Sequence, residues 1–155
     1  MTALRRLQQA QFDWQAAHFG LTDYPFGLTP NPKLYYPMPE TENMLAALDF
    51  ALSRGDGFIK IVGEVGTGKT LLCRMLLARL AKADANTAYI NAPIGFDPVE
   101  LPRLVAQEFG IKLKSAKTEV ATALRTFLLD QHSKKKKNVL IIDEAQNLDS
   151  ARLEE

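Results

Sequence analysis

The stretch Gly63-Glu64-Val65-Gly66-Thr67-Gly68-Lys69-Thr70 constrains this chain more than any other. It matches G-x-x-x-x-G-K-[ST], a loop whose backbone N–H groups cradle phosphates. The flanks suit that role. The apolar run Phe58-Ile59-Lys60-Ile61-Val62 predicts a buried strand before the loop, and Leu71 to Lys82 predicts a helix after it. Glycines let consecutive N–H groups turn toward one anion. The helix adds its positive end and its unpaired N–H groups at the same point. Nucleotide contacts are therefore expected at Gly63, Glu64, Val65, Gly66, Thr67, Gly68, Lys69, Thr70 and Leu71. Lys69 adds a full charge against the β- and γ-phosphates of ATP and counts as catalytic. The Thr70 hydroxyl is the expected ligand for Mg²⁺, which arrives with the nucleotide.

A second apolar run, Val139-Leu140-Ile141-Ile142, ends in Asp143-Glu144. Branched apolar residues in series predict a strand covered on both faces. Carboxylates at its tip lie where open α/β sheets bind ligands. Asp143 is the expected second Mg²⁺ ligand, and Glu144 the base that orients and deprotonates the attacking water. The Glu directly after the metal-binding Asp favours hydrolysis of ATP over transfer of its phosphate to a substrate. It points to the additional-strand ATPases.

At 155 residues the chain suits one domain, and 46% apolar residues supply a core. A formal net charge of +1 exerts no global pull on nucleic acid or membrane. The single cysteine, Cys73, excludes an internal disulfide and reads as a small buried residue on the helix after the loop. No apolar run approaches the ~20 residues that span a bilayer. No secretion signal opens the chain. Together with ATP use, this predicts a cytoplasmic location, with any inner-membrane association made through partners or segments beyond these residues.

The organisation expected is an N-terminal helix and Pro/aromatic arm over 1–39, then a partial ATPase domain over 40–155. Residues 3–18 are modestly amphipathic, through Leu4, Leu7, Trp14 and Ala17. Residues 19–39 carry Tyr24-Pro25-Phe26, Thr29-Pro30-Asn31-Pro32 and Tyr35-Tyr36-Pro37, too much proline for a helix. Such an arm either brings an apolar group to the adenine ring or simply anchors itself to the core. Residues 40–54 predict a helix with Met44, Leu45, Leu48 and Leu52 as its apolar stripe, stopped by Gly55. Thr87 to Asn91 predicts a second strand. Asp97-Pro98-Val99-Glu100 resembles a capped helix start, but Pro102 conflicts with it, so the helix begins later or bends there. Gly110 ends it, and Thr118 to Gln131 forms another, with Val120, Leu124, Phe127 and Leu128 on one face. The run Lys134-Lys135-Lys136-Lys137 reads two ways: a contact for DNA, acidic lipid or a partner, or a solvated connector at a helix C-terminus. His18 and His132 are isolated and form no metal or triad constellation with Cys73.

Taken together, Phe19-Gly20-Leu21, Pro25-Phe26, Thr29-Pro30-Asn31-Pro32, Gly57-Phe58, the loop, Leu72-Cys73-Arg74 and Ile142-Asp143-Glu144-Ala145-Gln146-Asn147-Leu148 carry a resemblance. The chain resembles the AAA+ ATPases of the general secretion pathway A type, which include ExeA-like secretion proteins and MshM-like proteins of pilus biogenesis. The resemblance covers about residues 18 to 155. It implies a P-loop fold with a parallel sheet between helical layers, and ATP held at subunit junctions of a homo-oligomer. It also implies work with secretion or pilus machinery. The transposition ATPases share the loop and a similar acidic strand, so an ATP-dependent DNA adaptor is the rival role. A fragment that binds nucleotide without turnover is the third.

The family's strand order, 5-1-4-3-2, puts a fourth strand between the loop strand and the acidic-tipped strand. The chain ends at Leu153-Glu154-Glu155, before such a strand, a sensor residue, an arginine finger or a helical lid. The expectation is therefore the front part of a longer ATPase, marginally stable alone or with its strands paired abnormally.

Overall fold

The computed structural model describes residues 13–22, 32–55, 57–92, 97–113 and 117–148. It divides into two compact units, Met1–Pro37 and Met38–Glu155.

In the first unit, residues 13–19 are helical, and Pro32–Leu34 form a single 3-10 turn. His18 stacks on Trp14 with ring centroids 5.4 Å apart and meets Phe19 edge-on at 4.6 Å. The rest of the expected N-terminal helix and the Tyr24-Pro25-Phe26 and Thr29-Pro30-Asn31 parts of the arm lie outside the described residues.

The second unit starts with α1, Pro39–Arg54. Proline suits its first position, where no intrahelical N–H bond is lost, and Glu40 and Glu42 complement the positive helix end. Leu45 and Leu48 are buried and Leu52 partly so, at spacings that keep them on one face. Met44, expected in that stripe, is 45% exposed, because it lies at the stripe's margin. Next comes α2, Lys69–Lys82, which buries Leu72, Cys73, Leu76 and Leu80. Arg79 on α2 ties the two helices by donating to Glu42 at 2.9 Å and Asp49 at 2.7 Å.

Two strands follow, β1 (Asn86–Asn91) and β2 (Asn138–Asp143). They pair in parallel, from Asn86 opposite Asn138 to Asn91 opposite Asp143. Parallel neighbours need a long crossover. Here it contains α3 (Leu101–Glu108) and α4 (Lys117–Ser133). The Pro102 conflict is resolved by a delayed start. Asp97 instead holds a 3-10 turn over Pro98–Glu100, its carboxylate accepting from Val99 N at 2.9 Å. Pro102 then falls in the first turn of α3, where its missing N–H costs nothing. The helix stops where Ile111 N reaches back to Ala106 O and Gly110 N to Gln107 O, both at 2.9 Å. On α4, Val120 is buried and Phe127 packs on Phe109 at 5.4 Å between centroids. Leu128, expected to face inward, is 39% exposed. It borders a shallow groove with Pro102 and Leu124.

The core joins Leu45 and Leu48 of α1, Leu72, Cys73, Leu76 and Leu80 of α2, and Ile141 of β2. One expectation fails. The run Phe58 to Val62 is not a buried strand; among the described residues the sheet has two strands only, and this run belongs to neither. Ile61 alone packs against the core, while Phe58 is 83% and Val62 79% exposed. The reason is the absence of a ladder partner. An extended segment becomes a sheet strand only when a neighbour takes up its N–H and C=O groups. The expected abnormal pairing does not occur either, since β2 keeps β1 as its neighbour.

Candidate functional site

The glycine-rich loop folds around its own lysine. Lys69 Nζ donates to Gly63 O at 2.8 Å and to Glu64 O at 2.7 Å. Thr67 Oγ1 donates to the same Glu64 carbonyl at 2.8 Å. At Gly63 space is tight: a Cβ there would meet Thr67 Oγ1 at 2.9 Å, and that hydroxyl would have to move. Gly68 must be glycine for conformation: it caps α2 with φ 87°, a left-handed geometry that strains other residues. Carbonyls are thus drawn toward Lys69 and Thr67. The N–H groups of Lys69, Thr70 and Leu71 open the helix without an intrahelical acceptor. Val65 stands fully exposed at the loop's crest.

The acidic tip is built differently. Asp143 ends β2 and is 6% exposed. Tyr89 Oη on β1 donates to its Oδ2 at 3.0 Å, and Glu144 N donates to its Oδ1 at 3.0 Å. The backbone is tied as well. Ala92 N donates to Asp143 O at 3.1 Å, and Asn147 Nδ2 returns to Ala92 O at 2.7 Å. Glu144 itself sits in the left-handed region, φ 55°. For a residue with a side chain this conformation is uncommon and costs on the order of 1–3 kcal/mol. The turn after it, Ala145–Asn147, contributes Gln146, whose amide donates to the exposed Glu144 carboxylate.

Electrostatics link the two halves. Burial, reinforced by the Asp143 charge, pushes the Cys73 thiol up to about 11. Burial, and then the hydrogen bond to Asp143, pushes the Tyr89 phenol up to about 12. Cys73 of α2 and Ile141 of β2 share one core cluster, so α2 packs on the strand that Asp143 ends. Among the described residues no three His, Cys, Asp or Glu side chains converge as a metal cage.

No role was read from the sequence for Tyr89, nor for Gln146 and Asn147, which entered only within the stretch that carries the resemblance. Tyr89 was within reach: in a parallel pair with Asn91 opposite Asp143, the residue two before Asn91 lies diagonally beside that carboxylate on the same face. For Gln146 and Asn147 the signal was their place directly after Asp143-Glu144 in that stretch.

Three lysines of the run contact acceptors within the chain. Lys134 pairs with Asp130 at 2.7 Å, Lys136 with Asp84 at 3.0 Å, and Lys137 donates to Leu52 O at 3.1 Å. Lys135 takes φ 57° and ends α4, with Lys136 N bonded back to Gln131 O at 3.0 Å. No described helix is long and apolar enough to cross a membrane.

Comparison with known proteins agrees with the geometry. A family model described as an AAA domain matches residues 52–155. The chain is also similar to general secretion pathway protein A of Aeromonas hydrophila, at 37% identity over 132 residues. That match covers 84% of this chain and 24% of the relative, so the chain spans about a quarter of the relative's length.

Proposed function

The chain belongs to the AAA domain family, and on that premise we propose that it binds and hydrolyses ATP with Mg²⁺ as part of an oligomeric motor. The observation that carries this reading is a loop lysine held at the mouth of α2, with the same helix packed on β2, the strand that ends in a buried aspartate.

Lys69 exchanges its contacts with Gly63 O and Glu64 O for the β- and γ-phosphate oxygens. The loop N–H groups and the start of α2 hold the remaining phosphate charge. Thr70 and Asp143 offer a hydroxyl and a carboxylate, hard oxygen donors that suit Mg²⁺. When bound, Mg²⁺ neutralises charge that develops on the phosphates. Glu144, exposed just beyond the strand end, accepts a proton from the attacking water. Gln146 holds that carboxylate until the water arrives.

The similarity to a general secretion pathway protein supports work with secretion machinery. A DNA adaptor gains no support from the lysine run, three members of which are engaged with the chain's own acceptors.

Equilibrium binding of a fluorescent ATP analogue, with phosphate release measured alongside, tests this. Lys69→Ala abolishes binding. Glu144→Gln keeps binding and slows turnover by about 10²–10⁴-fold. Unchanged turnover in Glu144→Gln removes Glu144 as the base.

A further inference from the structure

On the reading that Asp143 serves Mg²⁺, we propose that Tyr89 is a positioning residue that sets the plane of the Asp143 carboxylate. Two donors hold that group, one on each oxygen: Tyr89 Oη on Oδ2 and Glu144 N on Oδ1, both at 3.0 Å. Rotation of the carboxylate about its Cβ–Cγ bond breaks at least one of them. The two donors are not equally firm. The Glu144 amide belongs to a left-handed turn. The phenol is mounted on β1, whose ladder with β2 runs over all six residues of each strand. Tyr89 is thus the rigid member of the pair.

An ionised carboxylate has about four lone-pair sites, so two donors leave each oxygen able to accept once more. Asp143 is buried at the end of β2, and Ile141 of that strand shares a core cluster with Leu72 and Cys73 of α2. On the reading that Thr70 is the other ligand, those free sites serve an ion between the strand end and the start of α2. Partners of this outer kind orient metal ligands, and their removal typically costs 10–100-fold in metal affinity. Tyr89 also packs against the hydrophobic core, so a packing role is the competing account. Phenylalanine separates the two, because it keeps the ring and removes only the hydroxyl.

The test uses the 155-residue chain, the fluorescent ATP analogue, and Mg²⁺ added stepwise. Tyr89→Phe is expected to bind the analogue normally without Mg²⁺ and to need about tenfold more Mg²⁺ for half-maximal effect. In an Asp143→Ala background the same change should produce no further shift, since the pair then has no carboxylate to couple. A packing role predicts the reverse: an unchanged Mg²⁺ midpoint and a lowered melting temperature, present in either background. If Asp143→Ala moves the midpoint and Tyr89→Phe does not, the positioning role is overturned and the metal role of Asp143 stands. If binding shows no Mg²⁺ dependence in the unmutated chain, both are overturned.

Discussion

The two halves of the candidate site are held together by different forces. The phosphate loop is almost self-sufficient. Its shape comes from glycines, from the lysine that closes on two carbonyls within six residues of itself, and from the helix that follows. The segment that leads into it, residues 58–62, touches the core only through Ile61. The acidic tip draws on distant parts of the chain. Asp143 is fixed by Tyr89 and by the Ala92 and Asn147 links, each more than fifty residues away in sequence for at least one partner. A phosphate loop can therefore exist on a loosely attached approach, whereas a buried, oriented carboxylate needs the sheet.

The sharpest way to break this contrast is amide exchange, where the expected effect is largest. Ladder amides of β2, such as Ile141, are expected to exchange only by cooperative opening. Amides of residues 58–62 should exchange almost freely, several orders of magnitude faster, because local opening there costs on the order of zero. Equal protection at Ile61 and Ile141 would mean that the approach segment is paired in solution.

Core truncation gives the next effect in size. Leu76 is 6% exposed and lies in the cluster that unites α1, α2 and β2. Leu76→Ala should cost about 2–5 kcal/mol by denaturant unfolding. Val62→Ala, at a site 79% exposed, should stay within about 0.5 kcal/mol. A similar loss for both would erase the distinction between the regions.

The smallest effect is alkaline. The folded chain holds the Cys73 proton up to about pH 11 against an ordinary 9.0, and the Tyr89 proton up to about pH 12 against 10.0. Both groups thus bind protons more tightly folded than unfolded. Their contribution is fully present below about pH 9, where both states are protonated. It falls as pH rises toward 11 and 12, because the unfolded chain ionises first. Melting temperature should therefore drop across this window, and less steeply in Tyr89→Phe. A flat profile would argue against burial of the acidic tip.

Much of the fold was legible in short-range pattern. The loop and α2 announce themselves because glycine spacing, a cap and an apolar stripe are local properties. The place of Asp143 at a strand end followed from a branched apolar run that stops at a charge. The delayed start of α3 was half legible, since Pro102 signalled a conflict without saying how it would be settled.

Three features were decided only in three dimensions. Residues 58–62 have strand composition, yet whether they form a strand depends on a neighbour that takes up their hydrogen bonds, and that is a property of pairing. The lysine run has the composition of a binding patch, yet Asp84, Asp130 and the Leu52 carbonyl occupy three of its ammonium groups. Tyr89 looks like any strand aromatic until the register sets it beside Asp143. Backbone conformation and capping are governed by neighbours a few positions away, so the amino-acid order alone determined the loop, its helix and the acidic strand end. Pairing, burial and charge contacts join residues that the chain keeps far apart, and only the folded arrangement could assign them.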